Sequence, residues 1–195
     1  MPSDDLLQEI DASLEKSDDE FEADLPRLFD AMDGNTEALV RNNPATVRRV
    51  IDRIGSVDFA SVVSDTPEIA RLVQELIWTR TAVLVESSPD VRATIDDDIT
   101  ASLEATDCPM TGYLVVDEAE RTMYGGPGRL DDPMLEITGP AETLVGLIVG
   151  TVHPIRGYIQ QQYDMDGPVH KGTRLAPIMD SLSEQVRPEP AETLE

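Results

Sequence analysis

Apolar residues recur along the first half of the chain at the spacing of one helix face. Val47, Val50, Ile51 and Ile54 fall at i, i+3, i+4 and i+7 between Pro44 and Gly55, which predicts a short amphipathic helix. A longer helix follows Thr66-Pro67, where Thr66 can cap the first turn and Pro67 occupies the first helical position. Its apolar stripe is Ile69, Leu72, Val73, Leu76, Val83 and Leu84, and it should end near Glu86. Trp78 lies within it and is read as a packed core residue rather than an anchor for a ligand. Asn43-Pro44, Thr66-Pro67 and Ser88-Pro89 share the same helix-start chemistry, but the stretches between them do not match as repeats. Ahead of all this, Leu6, Leu7, Ile10 and Leu14 could form one marginal helix in a segment dense in Asp and Glu.

The period changes after Ser88. Residues 99–105 alternate apolar with polar or small positions, 113–116 is a short apolar run, and 117–120 supplies a polar turn before 121–124. Gly125-Gly126-Pro127-Gly128 breaks the chain and reads as a flexible loop, and residues 134–138 form another strand. Helical spacing resumes with Leu144, Leu147 and Ile148, and again after His153-Pro154 with Ile155, Tyr158 and Ile159. A fifth strand, 162–166, ends at Gly167, and a closing helix carries Leu175, Ile178, Met179 and Leu182. The predicted class is α+β: an antiparallel-rich five-stranded sheet with helices covering one face, preceded by a helical N-terminal region.

Four regions follow from these patterns. Residues 1–24 are an acidic segment expected to be mobile or loosely docked, 25–87 a helical region, 88–184 the α+β domain, and 185–195 a disordered tail whose last Leu-Glu suits a cloning remnant. The helical region is expected to pack on the domain, because its stripes would otherwise stand exposed.

Charge narrows the function. With 39 Asp and Glu against 15 Lys and Arg, the formal net charge is −24, and the acids recur along the whole length. Lysine is confined to Lys16 and Lys171 while Arg supplies the other cations, a bias of proteins adapted to concentrated salt. Such a surface repels nucleic acid, and no basic stripe or aromatic platform offsets it. Cys108 is the sole cysteine, so neither an intrachain disulfide nor a cysteine-built zinc site can form. The longest apolar stretch, residues 144–152, is too short for stable membrane insertion, and the expected location is cytoplasmic.

The stretch DDPMLEITGPAETLVGLIVGTVHPIRGYIQQQYDMDGPVHKGTRLAPIMDSL, residues 131–182, resembles the sterol carrier protein type 2 family, and the resemblance extends more loosely over residues 88–182. It is carried by Asp132-Pro133 followed by Ile137 and Gly139, a helix, Gly150 and Pro154 at the next turn, a second helix, a strand ending in Gly167 and the closing helix. Gln160-Gln161-Gln162 and the acids Asp164 and Asp166 depart from residues common in that family. The resemblance implies a lipid-binding domain without catalysis or cofactor.

The residues point the same way. A sheet covered on one side by aliphatic helices can leave a dry apolar cavity between the layers. Leu144, Leu147, Ile148, Ile155, Ile159, Leu175, Ile178 and Met179 are the candidate lining residues, for an acyl, sterol or isoprenoid chain. His153 and His170 lack partners at catalytic or metal-binding spacing, Asp96-Asp97-Asp98 lacks the regular spacing of a calcium loop, and Cys108 lacks a basic neighbour. No metal, cofactor or enzymatic role is expected. The competing expectation is an interaction module, in which the N-terminal helical region docks a protein partner and the pocket is lost.

Overall fold

The computed structural model describes residues 2–184; the tail expected for 185–195 lies outside them. The helical half contains α1 (Asp4–Leu14), α2 (Asp18–Met32), α3 (Thr36–Asn42), α4 (Pro44–Ile54), α5 (Phe59–Asp65), α6 (Glu68–Ser87) and α7 (Pro89–Thr94). Their starts are set by local chemistry. The Ser3 hydroxyl accepts from the Leu6 amide (3.2 Å), the Glu20 carboxylate accepts from the Ser17 amide (3.3 Å), and Pro44 and Pro89 open α4 and α7.

Residues 4–24 are packed into the core rather than loosely docked as their charge suggests. Ile10 and Phe21 are fully buried, and the Asp24 carboxylate ties α1 to α2 by accepting from Ser13 Oγ (2.7 Å) and meeting Lys16 Nζ (2.6 Å) and Arg27 Nε (2.7 Å). The Arg53 guanidinium of α4 stacks over the Phe21 ring at 4.8 Å. Acidic composition describes the solvent side of these helices, whereas their positions are set by the apolar side.

The second half contains β1 (Ile99–Ala105), β2 (Thr111–Asp117), β3 (Thr122–Pro127), β4 (Leu135–Gly139), α8 (Ala141–Val149), α9 (Pro154–Ile159), β5 (Asp164–Asp166) and α10 (Val169–Glu184). The strands form one sheet in the order β3-β2-β1-β4-β5, antiparallel except for the central pair of β1 with β4. Register fixes the faces: Ala101 lies opposite Leu114 and Leu135, and Leu103 opposite Ile137, so these residues share the inner face. Helices cover this face, with α6 over β3, and α8 over β1 and β4. The outer face carries Thr100, Glu104, Glu136 and Thr138. Residues 128–134 cross it, where the Leu130 amide donates to Ser102 Oγ (3.1 Å) and the Met134 amide to Thr100 Oγ1 (3.0 Å).

One expected loop is a strand. Gly125, Gly126 and Pro127 belong to β3, and the buried Trp78 of α6 packs against Gly125, while Gly126 faces the Tyr113 ring. A Cβ at Gly125 would come within 2.4 Å of the indole ring, so the glycine gives room for close helix-on-sheet packing rather than flexibility.

Candidate functional site

Three helices and the inner face of the sheet border an apolar cavity of about 190 Å³ that opens to solvent on one side. The first wall is α8. Its first amide, at Ala141, donates to Asp107 Oδ1 (2.9 Å), and it ends at Gly150 in the left-handed conformation (φ 86°), where a residue without Cβ is needed. Leu147 and Ile148 border the cavity from this helix, while Gly146 and Val149 border a different space behind it.

The second wall, α9, is a short helix opened by Pro154, with the His153 ring capping it as Nδ1 accepts from the Arg156 amide (3.4 Å). His153 therefore has a structural use. The Tyr163 hydroxyl donates to the Pro154 carbonyl (2.8 Å), joining α9 to the chain entering β5; burial pushes that hydroxyl's pKa up. Tyr158 packs at a tilt on Tyr163, with ring centroids 6.0 Å apart.

The third wall, α10, presents Gly172, Leu175, Ala176 and Met179, which follow the i, i+3, i+4, i+7 spacing of one face. Two of these four are small. Gly172 gives room to the Met165 side chain, which a Cβ there would meet at 2.4 Å, while Ala176 and Thr173 leave space between α10 and the sheet that larger side chains would fill. Leu103, Leu114 and Ile137 floor the cavity from the sheet, and Met165 of β5 closes one side. Asp164 and Asp166, on either side of Met165, are exposed on the opposite side of the strand.

Five of the eight residues named from the sequence are brought together here: Leu147, Ile148, Ile155, Leu175 and Met179. Three are not. Leu144 and Ile178 are essentially fully buried but lie outside the cavity, in the solid part of the helix layer. Ile159 is exposed, one helical turn beyond Ile155 at the mouth. Helical spacing fixes the direction a side chain takes but not how far the neighbouring layer extends, and here the layer ends before Ile159. The sheet residues Leu103, Leu114 and Ile137 were missed, although the alternation of their strands is the signal that would have found them.

No charged side chain is among the lining residues, and the hydroxyls are those of Tyr158, Tyr163 and Thr173. A second space of about 260 Å³ lies behind α8 and is larger, but the carboxylates of Asp52 and Glu142 border it. An apolar ligand would have to strip water from those groups, so chemistry favours the smaller cavity. Among the described residues no three His, Cys, Asp or Glu side chains gather where a metal ion could be held. Cys108 is half-buried, and burial raises its thiol pKa, which disfavours the reactive thiolate.

No family model and no curated protein matches this chain. Among solved structures it is similar to a ubiquinone synthesis protein of the UbiJ-SCP2 type, at 14% identity and a TM-score of 0.41, over 60% of this chain and 98% of that one. It is likewise similar to sterol carrier protein domain 2 of Helicoverpa armigera, at 14% identity and a TM-score of 0.42, over 60% of this chain and 90% of that one. A third likeness is to a stereoselective inverting sec-alkylsulfatase from Pseudomonas sp., at 11% identity and a TM-score of 0.42. It spans 91% of this chain and 29% of the sulfatase.

Proposed function

We propose that this protein binds the apolar part of a lipid-like molecule in the cavity between the sheet and α8, α9 and α10, and carries it without transforming it. The observation that carries the reading is the lining itself: a half-open space of about 190 Å³ with no charged side chain on its walls. Dry apolar cavities of about 150 Å³ accept a single aromatic ring, so the interior of this one suits a ring or a short run of methylenes better than a whole fused-ring system. Size thus favours an acyl or isoprenoid chain over a sterol.

Burying about six methylenes at ~0.8 kcal/mol each supplies roughly 5 kcal/mol before the costs of association. That alone gives weak binding. The rest of the ligand must contribute where it leaves the cavity. In this reading the protein works in the cytoplasm of a cell with high internal salt, where its dense acids keep it dispersed.

Mass spectrometry of organic extracts from natively purified protein tests the proposal. A single-chain lipid recovered at close to one per protein supports it. Protein from several growth conditions that yields no lipid, and that takes up no acyl or isoprenoid chain when offered one, contradicts it.

A further inference from the structure

The mouth of the cavity is apolar as well as its interior. Ile155 is 52% exposed, Tyr158 48%, Ile159 72% and Val169 71%, and these four make up most of the exposed large hydrophobic residues among the described part of the chain. Three of them also line the cavity, so the rim and the interior are continuous. A chain carrying a net charge of −24 has abundant acid with which to cover such a patch, yet here it is left bare.

The charged residues on α9 and the first turns of α10, the elements that carry the rim, are Arg156, Lys171 and Arg174, with no acid among them. Lys171 pairs with Asp97 (2.8 Å) and Arg174 with Asp96, while Arg156, between Ile155 and Tyr158 in sequence, has no ion pair among the described residues. Asp164 and Asp166 point away from the Met165 side that faces the cavity. The rim therefore lacks the dense negative charge of the chain as a whole.

We infer that this rim, Ile155, Tyr158, Ile159 and Val169, docks on the headgroup and acyl boundary of a lipid bilayer, so that ligand passes between membrane and cavity without crossing water. The inference rests on the cavity being a lipid site. Continuity with the cavity argues for this occupant, because a molecule leaving through the mouth meets the rim first. Tyr158, with an aromatic ring and a polar tip, suits that boundary. A second copy of the chain fits poorly: four side chains fall far short of the 20–30 residues per side of a stable interface, and each copy brings a charge of −24. No helix among the described residues is long and apolar enough to cross a membrane, so docking at the surface is the mode the elements permit.

The test is flotation of the full chain with phosphatidylcholine vesicles in molar KCl, where the Debye length is about 3 Å and attraction between charges is screened. Wild type should float with the vesicles. Ile159→Glu, which changes a residue outside the cavity, should lower the bound fraction about tenfold or more while retaining its circular dichroism and its uptake of a fluorescent fatty acid. Equal flotation of variant and wild type would overturn the docking inference. So would wild type that stays with the buffer, or a dimer in sedimentation velocity that Ile159→Glu dissociates. Loss of fatty-acid uptake by wild type would instead strike the cavity reading, which keeps the two failures distinct.

Discussion

Asp24 is a buried carboxylate with donors on both oxygens, and its environment sets how the N-terminal helices respond to acid. The hydrogen bond from Arg27 is the largest influence holding its pKa well below the usual carboxylate range; burial opposes it, and Lys16 and Ser13 reinforce it. A depressed folded-state pKa means that the unfolded chain binds the proton more readily. The stabilisation is therefore complete above the unfolded value, near 3.9, and is lost as the pH falls from there through the folded value. Asp24→Asn should cost about 2 kcal/mol at neutral pH. In urea denaturation the gap from wild type should narrow below about pH 4, whereas a gap independent of pH would contradict this account. Gly125 permits a separate prediction. A methyl group there would lie 2.3 Å from the Tyr113 carbonyl oxygen and 2.4 Å from the Trp78 ring, so Gly125→Ala should destabilise by about 1–3 kcal/mol. An unchanged denaturation midpoint would show that α6 does not press on β3 as described.

At the scale of elements, periodicity revealed much of this fold, because each helix and strand with one buried face writes that face into the chain. The stripe of α4 and the alternation of β1 coincide with buried residues Val47, Val50, Ile51 and Ile54, and with Ile99, Ala101 and Leu103. The parallel pairing of β1 with β4 was not legible, since it depends on residues 128–134 crossing the outer face through single bonds to Ser102 and Thr100. Gly125 was misread for a related reason: its role depends on Trp78, more than 40 positions away in the chain. The candidate site was half legible. Direction along α8 and α10 pointed to Leu147, Leu175 and Met179, which border the cavity, but the void itself depends on small Ala176 facing the sheet and on Met165 of β5 packing against Gly172, a property of several elements together. The α4 stripe and Ile69, Val73 and Leu76 of α6 are buried, whereas Leu72, Val83 and Leu84 of the α6 stripe are half-buried at the edge of the core.

At the scale of the whole molecule, a charge of −24 on 195 residues means that folding gathers like charges, and concentrated counterions relieve their repulsion. The thermal midpoint should rise from low to molar KCl; a flat or falling midpoint would contradict salt adaptation. The central claim is that the space beside Leu147 is a binding cavity rather than an accident of packing, and titration of wild type and Leu147→Trp with a fluorescent fatty acid in molar KCl tests it most directly. Leu147 borders the cavity, so the added indole has empty volume to enter and folding should survive. The account predicts saturable, one-to-one binding by wild type, and loss of that binding in a variant whose denaturation midpoint is nearly unchanged. A folded wild type that never binds the probe, or a variant destabilised by about 1–3 kcal/mol as overpacking of solid core requires, would contradict it.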